Sequence, residues 1–343
     1  MAKILVIRLS AIGDVAMTVP VIYSAAKANP DDTFVVLTQA FLIPVFINRP
    51  SNVDVTGISI TGAEKSLGGL LRFAWAFSKY DFDIVLDLHN VIRTMIIRSL
   101  FRLRGKGVFV VDKARKERKQ LTARKDKALN PIRPVIDRYG DVFKAAGLRY
   151  GETFHSLFDE HPVNVSSMEE ALGEKTGKWI GIAPFAKHQG KIYPTEMMEQ
   201  IIETLSKHED YTLFLLGARG YEESVLEQWA FQFPSVKTVV GRYSLDKELA
   251  LISRLDVMLC MDSANMHFAS LVGTRVLSVW GATHPYAGFY GYHQKKEDAI
   301  QLDLDCRPCS IFGEKPCFRG DWACMTLLPP EQIINKIEES LSA

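Results

Sequence analysis

Short runs of β-branched and aliphatic residues recur along the chain, each followed by a longer stretch whose apolar positions return every three or four residues. In the first half the runs are Ile4–Ile7, Phe34–Leu37, Val53–Val55, Ile84–Leu88 and Val108–Val111. In the second they are Trp179–Ala183, Thr212–Leu216, Lys237–Val240, Val257–Met261 and Val276–Val279. Near-continuous apolar runs read as strands buried on both faces, and the connections are long enough for crossover helices, so the pattern predicts parallel sheets rather than hairpins. Helices are expected over Arg138–Leu148, Thr195–Lys207, Glu222–Phe231 and Leu245–Leu255, with a terminal helix from Pro329 to Leu341. The stretch Glu160–Lys178 carries Pro, Ser and charge without a strand signal and reads as a linker. The expected organisation is an α/β chain with a first domain over residues 1–165, a second over 176–328 and a terminal helix over 329–343.

Bulk properties narrow the class only slightly. At 343 residues the chain can bury two cores, and with 47% hydrophobic residues, 24% charged residues and a net charge of +1 its global charge selects no partner. The longest apolar run, Leu67–Phe77, contains Arg72 and is too short to span a bilayer. Arg8 and Asp14 interrupt what would be the apolar core of a signal peptide, which predicts a cytoplasmic protein. Charge is uneven locally: between Arg102 and Lys127 stand eleven Lys/Arg against three Asp/Glu. That block is either a solvated surface or a face for an anionic partner, an acceptor phosphate or a membrane. Only Phe109 interleaves with the charges, so nucleic acid is not expected. Cys260 reads as a core residue, while Cys306, Cys309, Cys317 and Cys324 form C-x2-C-x7-C-x6-C, open to a structural zinc or to a metal-free loop.

Two strand–turn–helix segments carry the candidate chemistry. KILVIRLSAIGDVAMTVP places Asp14 at the head of a helix, where it is either a cap or a proton acceptor, with Gly13 beside it and Pro20 kinking the helix beyond. DVMLCMDSANMHFASLVGTRVLSVWGATHP places Asp262, Ser263 and Ala264 at the carboxyl end of a strand and His267 in the first turn of the next helix, an arrangement suited to an anionic ligand. Lys187 and Lys191 follow the first strand of the second half, where they serve either solubility or a diphosphate. Glu222 is open to a ribose contact or a helix start, and Tyr243 to a base contact or the core. Neither G-x-G-x-x-G nor the P-loop pattern is present. The D-x-D strings Asp81–Asp83 and Asp303–Asp305 are given no metal.

Taken together, RLSAIGDVAMTVP and MDSANMHFASLVGTRVLSVWGATHP resemble the ADP-heptose:lipopolysaccharide heptosyltransferases. DFDIVLDLHN, VIDRYGDVFKAAGL, the K-x-x-P of Lys191–Pro194 and the late CRPC add weaker likenesses. The resemblance implies a GT-B fold, two Rossmann-like domains facing across a cleft, with acceptor on the first and nucleotide-sugar on the second. It implies that the terminal helix packs back on the first domain. Asp14 would be the general base of an inverting, metal-independent transfer, with Ser10 and Gly13 near the acceptor. Lys187, Lys191, Glu222, Tyr243, Asp262, Ser263, Ala264 and His267 would bind the donor, ADP-heptose or a related ADP-sugar, as substrate and without a further cofactor. The acceptor would be the lipopolysaccharide inner core at the cytoplasmic membrane face, with Arg102–Lys127 touching anionic lipid. Ala264 stands where family members usually have Gly, which matters if that position requires a positive φ or a close approach to phosphate. Rival expectations are a nucleotide-sugar-binding protein without transferase activity and a sugar-nucleotide epimerase.

Overall fold

The computed structural model describes residues 1–59, 62, 66–163 and 173–342, so residues 164–172 of the expected linker lie outside the described residues. The chain divides into two compact units, residues 1–114 with 133–161, and residues 115–132 with 162–343.

In the first unit β1 (Lys3–Ile7), β2 (Thr33–Gln39), β3 (Val53–Ile58), β4 (Ile84–Asp87) and β5 (Gly107–Val110) form a parallel sheet in the order β3-β2-β1-β4-β5. β1 is central, with Ile4 in register with Phe34 of β2 and Ile84 of β4. Its residues Ile4 to Ile7 are fully buried, as the unbroken apolar run requires. The order reverses beside β1, which opens a crevice beyond the carboxyl ends of β1 and β4.

The segment after β1 departs from the expected kinked helix. Two helices form, Ile12–Ala16 and Val19–Ala28, with Met17 and Thr18 between them. Pro20 thus lies in the first turn of a new helix, where its missing N–H costs nothing. The Thr18 hydroxyl donates to the carbonyl of Val15 at 2.7 Å.

The second unit contains β6 (Lys178–Ala183), β7 (Tyr211–Leu215), β8 (Val236–Thr238), β9 (Val257–Met261), β10 (Val276–Val279) and the short β11 (Ala299–Ile300), all parallel, in the order β11-β10-β9-β6-β7-β8. Here the order reverses between β6 and β9. The sheet core includes Ile180, Ile182, Leu213, Leu215, Leu259 and Met261.

The terminal helix Pro330–Ser342 buries Ile333 and Ile337 in the core of the second unit, packed on the helix Thr195–Ser206 and on β9. Arg275 donates to the Ser340 carbonyl, and Tyr193 donates to that of Leu328 at 2.6 Å, fixing the approach to the helix. Residues 115–132 belong to the second unit although they precede the expected boundary at 165. Leu121 is fully buried there, the N–H of Ile132 donates to the Tyr286 carbonyl, and the Lys127 ammonium donates to the carbonyls of Asp305 and Arg307. The basic block is therefore split between units and is not one solvated face. Arg118 lies 4.9 Å from the Phe289 ring centre and Arg124 the same distance from that of Phe318, so several of its cations are engaged in packing.

Candidate functional site

The candidate residues of the first unit lie beyond β1 and β4. Arg8, one residue past β1, is buried; its Nη2 stands 2.7 Å from Asp14 Oδ2 and its Nη1 donates to the Leu88 carbonyl at 2.8 Å. Burial opposes the guanidinium charge, but Asp14, Tyr139 and Asp87 outweigh it and raise the Arg8 pKa. The same Asp14 oxygen accepts the Ala11 N–H at 3.2 Å, so the carboxylate caps its own helix while ion-paired to Arg8. The sequence left cap and chemistry as alternatives, and the geometry permits both. Ser10 is half-buried in the same turn, and Gly13 sits inside the Ile12–Ala16 helix without a left-handed backbone.

The sequence motifs assign no role to His89, which lies beside these residues in the first unit. It is buried at the end of β4, and its Nδ1 accepts the Leu9 N–H at 3.4 Å. Burial first, and then the Arg8 charge, lowers its pKa to about 3, so the imidazole is neutral at ordinary pH. Asp87 beneath it is fully buried; it accepts the N–H groups of His89 and Asn90 and pairs with Arg98 at 2.5 Å. The available signal was the DLHN string at a strand end. A histidine following a buried aspartate there is positioned by that aspartate's hydrogen bonds to the turn.

The candidate residues of the second unit lie beyond β6 and β9. Lys191, in the turn Gln189–Lys191 after β6, places its ammonium 2.9 Å from Asp262 Oδ2, directly after β9. Both side chains are largely buried. Gly313 packs on the lysine stem with φ +78°, and a Cβ there would lie 2.7 Å from Lys191 Cγ. Gly190 is hemmed in likewise: its own Cβ would meet the Gly313 carbonyl oxygen at 2.8 Å. Arg307, in the CRPC string, is buried and donates to the carbonyls of Trp280, Gly281, Thr283 and Leu302. It thus holds the turn after β10 against this loop, a positioning role that sequence reading did not assign.

Asp262 leads into Ser263 and the helix Ala264–Leu271, whose first-turn N–H groups and positive dipole end lie at the strand tip. Ala264 is the first helical residue and has no positive φ, so its methyl group causes no backbone strain. The departure from glycine therefore needs no conformational compensation. Among the described residues, the Ser263 hydroxyl and that of Thr283, at the ends of the paired strands β9 and β10, are buried without a hydrogen-bond partner. Unsatisfied buried hydroxyls are uncommon and mark places where a polar ligand group would be accommodated. His267 is buried one turn into the helix.

The remaining candidates are not gathered around this pair. Glu222 Oε2 accepts the Ala218 N–H at 2.7 Å, capping its own helix, and lines a pocket of about 490 Å³ with Phe185, Tyr193, Tyr221 and Trp322. Tyr243 lines a separate pocket of about 330 Å³ with Val239 and Arg242. Lys187 is exposed and makes no hydrogen bond or ion pair among the described residues. Among those residues no group of three or more His, Cys, Asp or Glu side chains is arranged to hold a metal ion, and all five cysteines are free. Burial raises the Cys324 pKa to about 11. Also among the described residues, no helix is long and apolar enough to cross a membrane.

A family model described as glycosyltransferase family 9 (heptosyltransferase) matches residues 70–315. Among curated proteins, the chain is 21% identical to lipopolysaccharide heptosyltransferase 1 of Pseudomonas aeruginosa over 99% of this chain and 98% of that one. It is 23% identical to lipopolysaccharide heptosyltransferase 3 of Escherichia coli over 79% and 80% of the two chains. The E. coli heptosyltransferase WaaC with ADP-2-deoxy-2-fluoro heptose superposes with a TM-score of 0.69 at 17% identity, over 98% of this chain and 99% of that one. A glycosyl transferase family 9 structure from Veillonella parvula superposes with a TM-score of 0.74 at 18% identity, over 99% and 97%. These likenesses agree with the two parallel sheets and identify the fold as GT-B type, two Rossmann-like units in one chain.

Proposed function

Because this chain belongs to glycosyltransferase family 9, the heptosyltransferases, we propose that it transfers a heptose from an ADP-sugar to the lipopolysaccharide inner core, with inversion and without a metal. The observation that carries this reading is the Lys191–Asp262 pair at the switch point of the second sheet, beside the amino end of the Ala264–Leu271 helix. An ammonium has three donors, and Asp262 takes one, leaving others for a diphosphate. Together with the first-turn N–H groups, Lys191 would neutralise charge as it develops on the departing ADP, a task a metal performs elsewhere. Ser263 and Thr283 offer hydroxyls to the donor, Asp262 and His267 sit where sugar hydroxyls or phosphates would lie, and Glu222, Tyr243 and Lys187 are assigned the nucleotide.

In the reaction an acceptor hydroxyl oxygen bonds to the anomeric carbon from the face opposite the diphosphate. The bond from that carbon to the phosphate oxygen breaks, and the hydroxyl proton passes to Asp14. Arg8 and the Ala11 N–H orient that carboxylate, and Ser10 and Gly13 line the turn an acceptor would meet. The acceptor brings the reaction to the cytoplasmic face of its membrane.

The test is a panel of ADP-, UDP- and GDP-sugars offered with a heptose-deficient lipopolysaccharide core, in the presence of a chelator. Release of ADP, a matching gain in acceptor mass and an inverted anomeric configuration by NMR are expected. Asp14→Ala should lose at least 100-fold in kcat, on the order expected for a missing general base, while retaining ADP affinity. Turnover of the nucleotide-sugar without acceptor would indicate an epimerase; ADP binding without turnover would indicate a binding protein.

A further inference from the structure

The helices Leu67–Phe77 and Ile92–Leu103 pack on one another, and their inner residues Leu70, Ala74, Phe77, Ile97 and Phe101 share a buried cluster with Leu5, Ile7 and Val85 of the sheet. Outer faces of such helices are ordinarily polar. Here both are apolar. Leu67, Leu71 and Trp75 stand four residues apart on the first helix, so they form one stripe, and all three are exposed, Trp75 by 55%. On the second, Ile92, Met95 and Leu103 share a stripe, with Ile92 77% and Leu103 83% exposed. Neither helix contains a single Asp or Glu, and Arg72, Arg93 and Arg102 are exposed on them. Lys79 lies 3.6 Å above the Trp75 ring, and the acidic residue that follows, Asp81, is already paired with Lys106.

Scattered exposed apolar residues need no explanation, but two adjacent acid-free helices with apolar stripes flanked by arginines do. We infer that this face docks on an anionic lipid surface, its leucines, Ile92, Met95 and Trp75 entering the boundary between headgroups and acyl chains while Arg72, Arg93 and Arg102 meet lipid phosphates. The composition is that of helices that lie in a membrane interface, aromatic and aliphatic on one side with cations beside them. Charge decides against a second copy of the chain: a symmetric pairing would bring the same arginines together with no acid on either helix to offset them. The surface shares only Arg102 and Leu103 with the Arg102–Lys127 block, whose Arg118, Arg124 and Lys127 are engaged within the second unit. The inference does not rest on the transfer reaction, because vesicle binding is read without sugar.

The full chain is sedimented with vesicles of equimolar phosphatidylglycerol and phosphatidylcholine, and with phosphatidylcholine alone. Binding to the anionic vesicles, weakened by salt, and a blue shift of Trp75 emission are expected. Leu71→Glu and Trp75→Glu should each weaken binding at least tenfold, and each of Arg72→Gln and Arg93→Gln about fivefold. Phe231→Glu, at an exposed position of the second unit, should leave it unchanged. All these side chains are exposed, so the variants should keep the wild-type thermal midpoint. Failure of the wild type to bind anionic vesicles, or wild-type binding by both glutamate variants, would overturn the inference. So would a stable dimer in solution that Leu71→Glu dissociates, which would assign the face to a second copy.

Discussion

Replacing Arg8 with methionine removes two contacts that no thioether can reproduce, while nearly conserving the volume of the stem. The lost Nη1 bond leaves the buried Leu88 carbonyl short of a donor, about 1 kcal/mol. The lost pair with Asp14 lies between two limits. Breaking a fully buried pair costs about 3–5 kcal/mol, and an exposed one is worth about 0–1 kcal/mol. Arg8 is 9% and Asp14 22% exposed at the side chain, which places this 2.7 Å contact near the middle, at about 2 kcal/mol. Arg8→Met should therefore destabilise the first unit by about 3 kcal/mol in urea denaturation. Asp14→Asn, which leaves the arginine its carbonyl contact, should cost about 2 kcal/mol. Because both single variants break the same pair, the double variant should fall short of their sum by about 2 kcal/mol. Arg8→Met should also lower kcat more than it changes donor KM, since its partner Asp14 is the proposed general base. A coupling below about 0.5 kcal/mol, the ordinary error of additivity, would mean that the pair does not hold Asp14 and that its orientation has another source.

Two further variants probe the second unit. Gly313→Ala forces an alanine to a φ of +78° and brings its Cβ within 2.7 Å of the Lys191 stem. It should cost about 1–2 kcal/mol and raise the donor KM, both checked by melting and steady-state kinetics, whereas unchanged kinetics would separate Lys191 from donor binding. Burial raises the Glu248 pKa from 4.5 to about 7, so the folded state holds that proton more tightly than the unfolded chain. Its contribution to stability is full below pH 4.5 and is lost as pH rises through 7. Solvent reaches part of the carboxyl, which limits the loss to about 1 kcal/mol. Glu248→Gln should flatten that stretch of the stability profile between pH 5 and pH 8 measured by urea denaturation; an unchanged slope would show that Glu248 titrates normally.

Much of the fold was legible because strands buried on both faces must be nearly continuous apolar runs, and ten of them are written plainly into the chain. The two-residue β11 was not, since two residues carry no period. Pro20 was visible, but its effect depended on whether a helix continued through it or restarted before it, and that is decided by where Met17 and Thr18 pack. The candidate residues Asp14, Lys191, Asp262 and Ser263 were recoverable because turns at strand ends have distinctive chemistry. Arg8 and His89 were passed over because each looks ordinary in its own segment: an arginine after a strand, a histidine in a turn.

The sequence by itself determined the alternation of strand and helix, the division into two parallel sheets and the turns that carry the charged candidates, all of which depend on neighbours within a dozen residues. Only the tertiary structure decided who partners whom. Strand order put the turn after β1 beside the one after β4, and the turn after β6 beside the one after β9, so Arg8 meets Asp14 near His89, and Lys191 meets Asp262. It also sent residues 115–132 and the terminal helix to the second unit, and left two apolar helix faces of the first uncovered. Those outcomes come from burial summed over residues far apart in the chain, and no local pattern contains that sum.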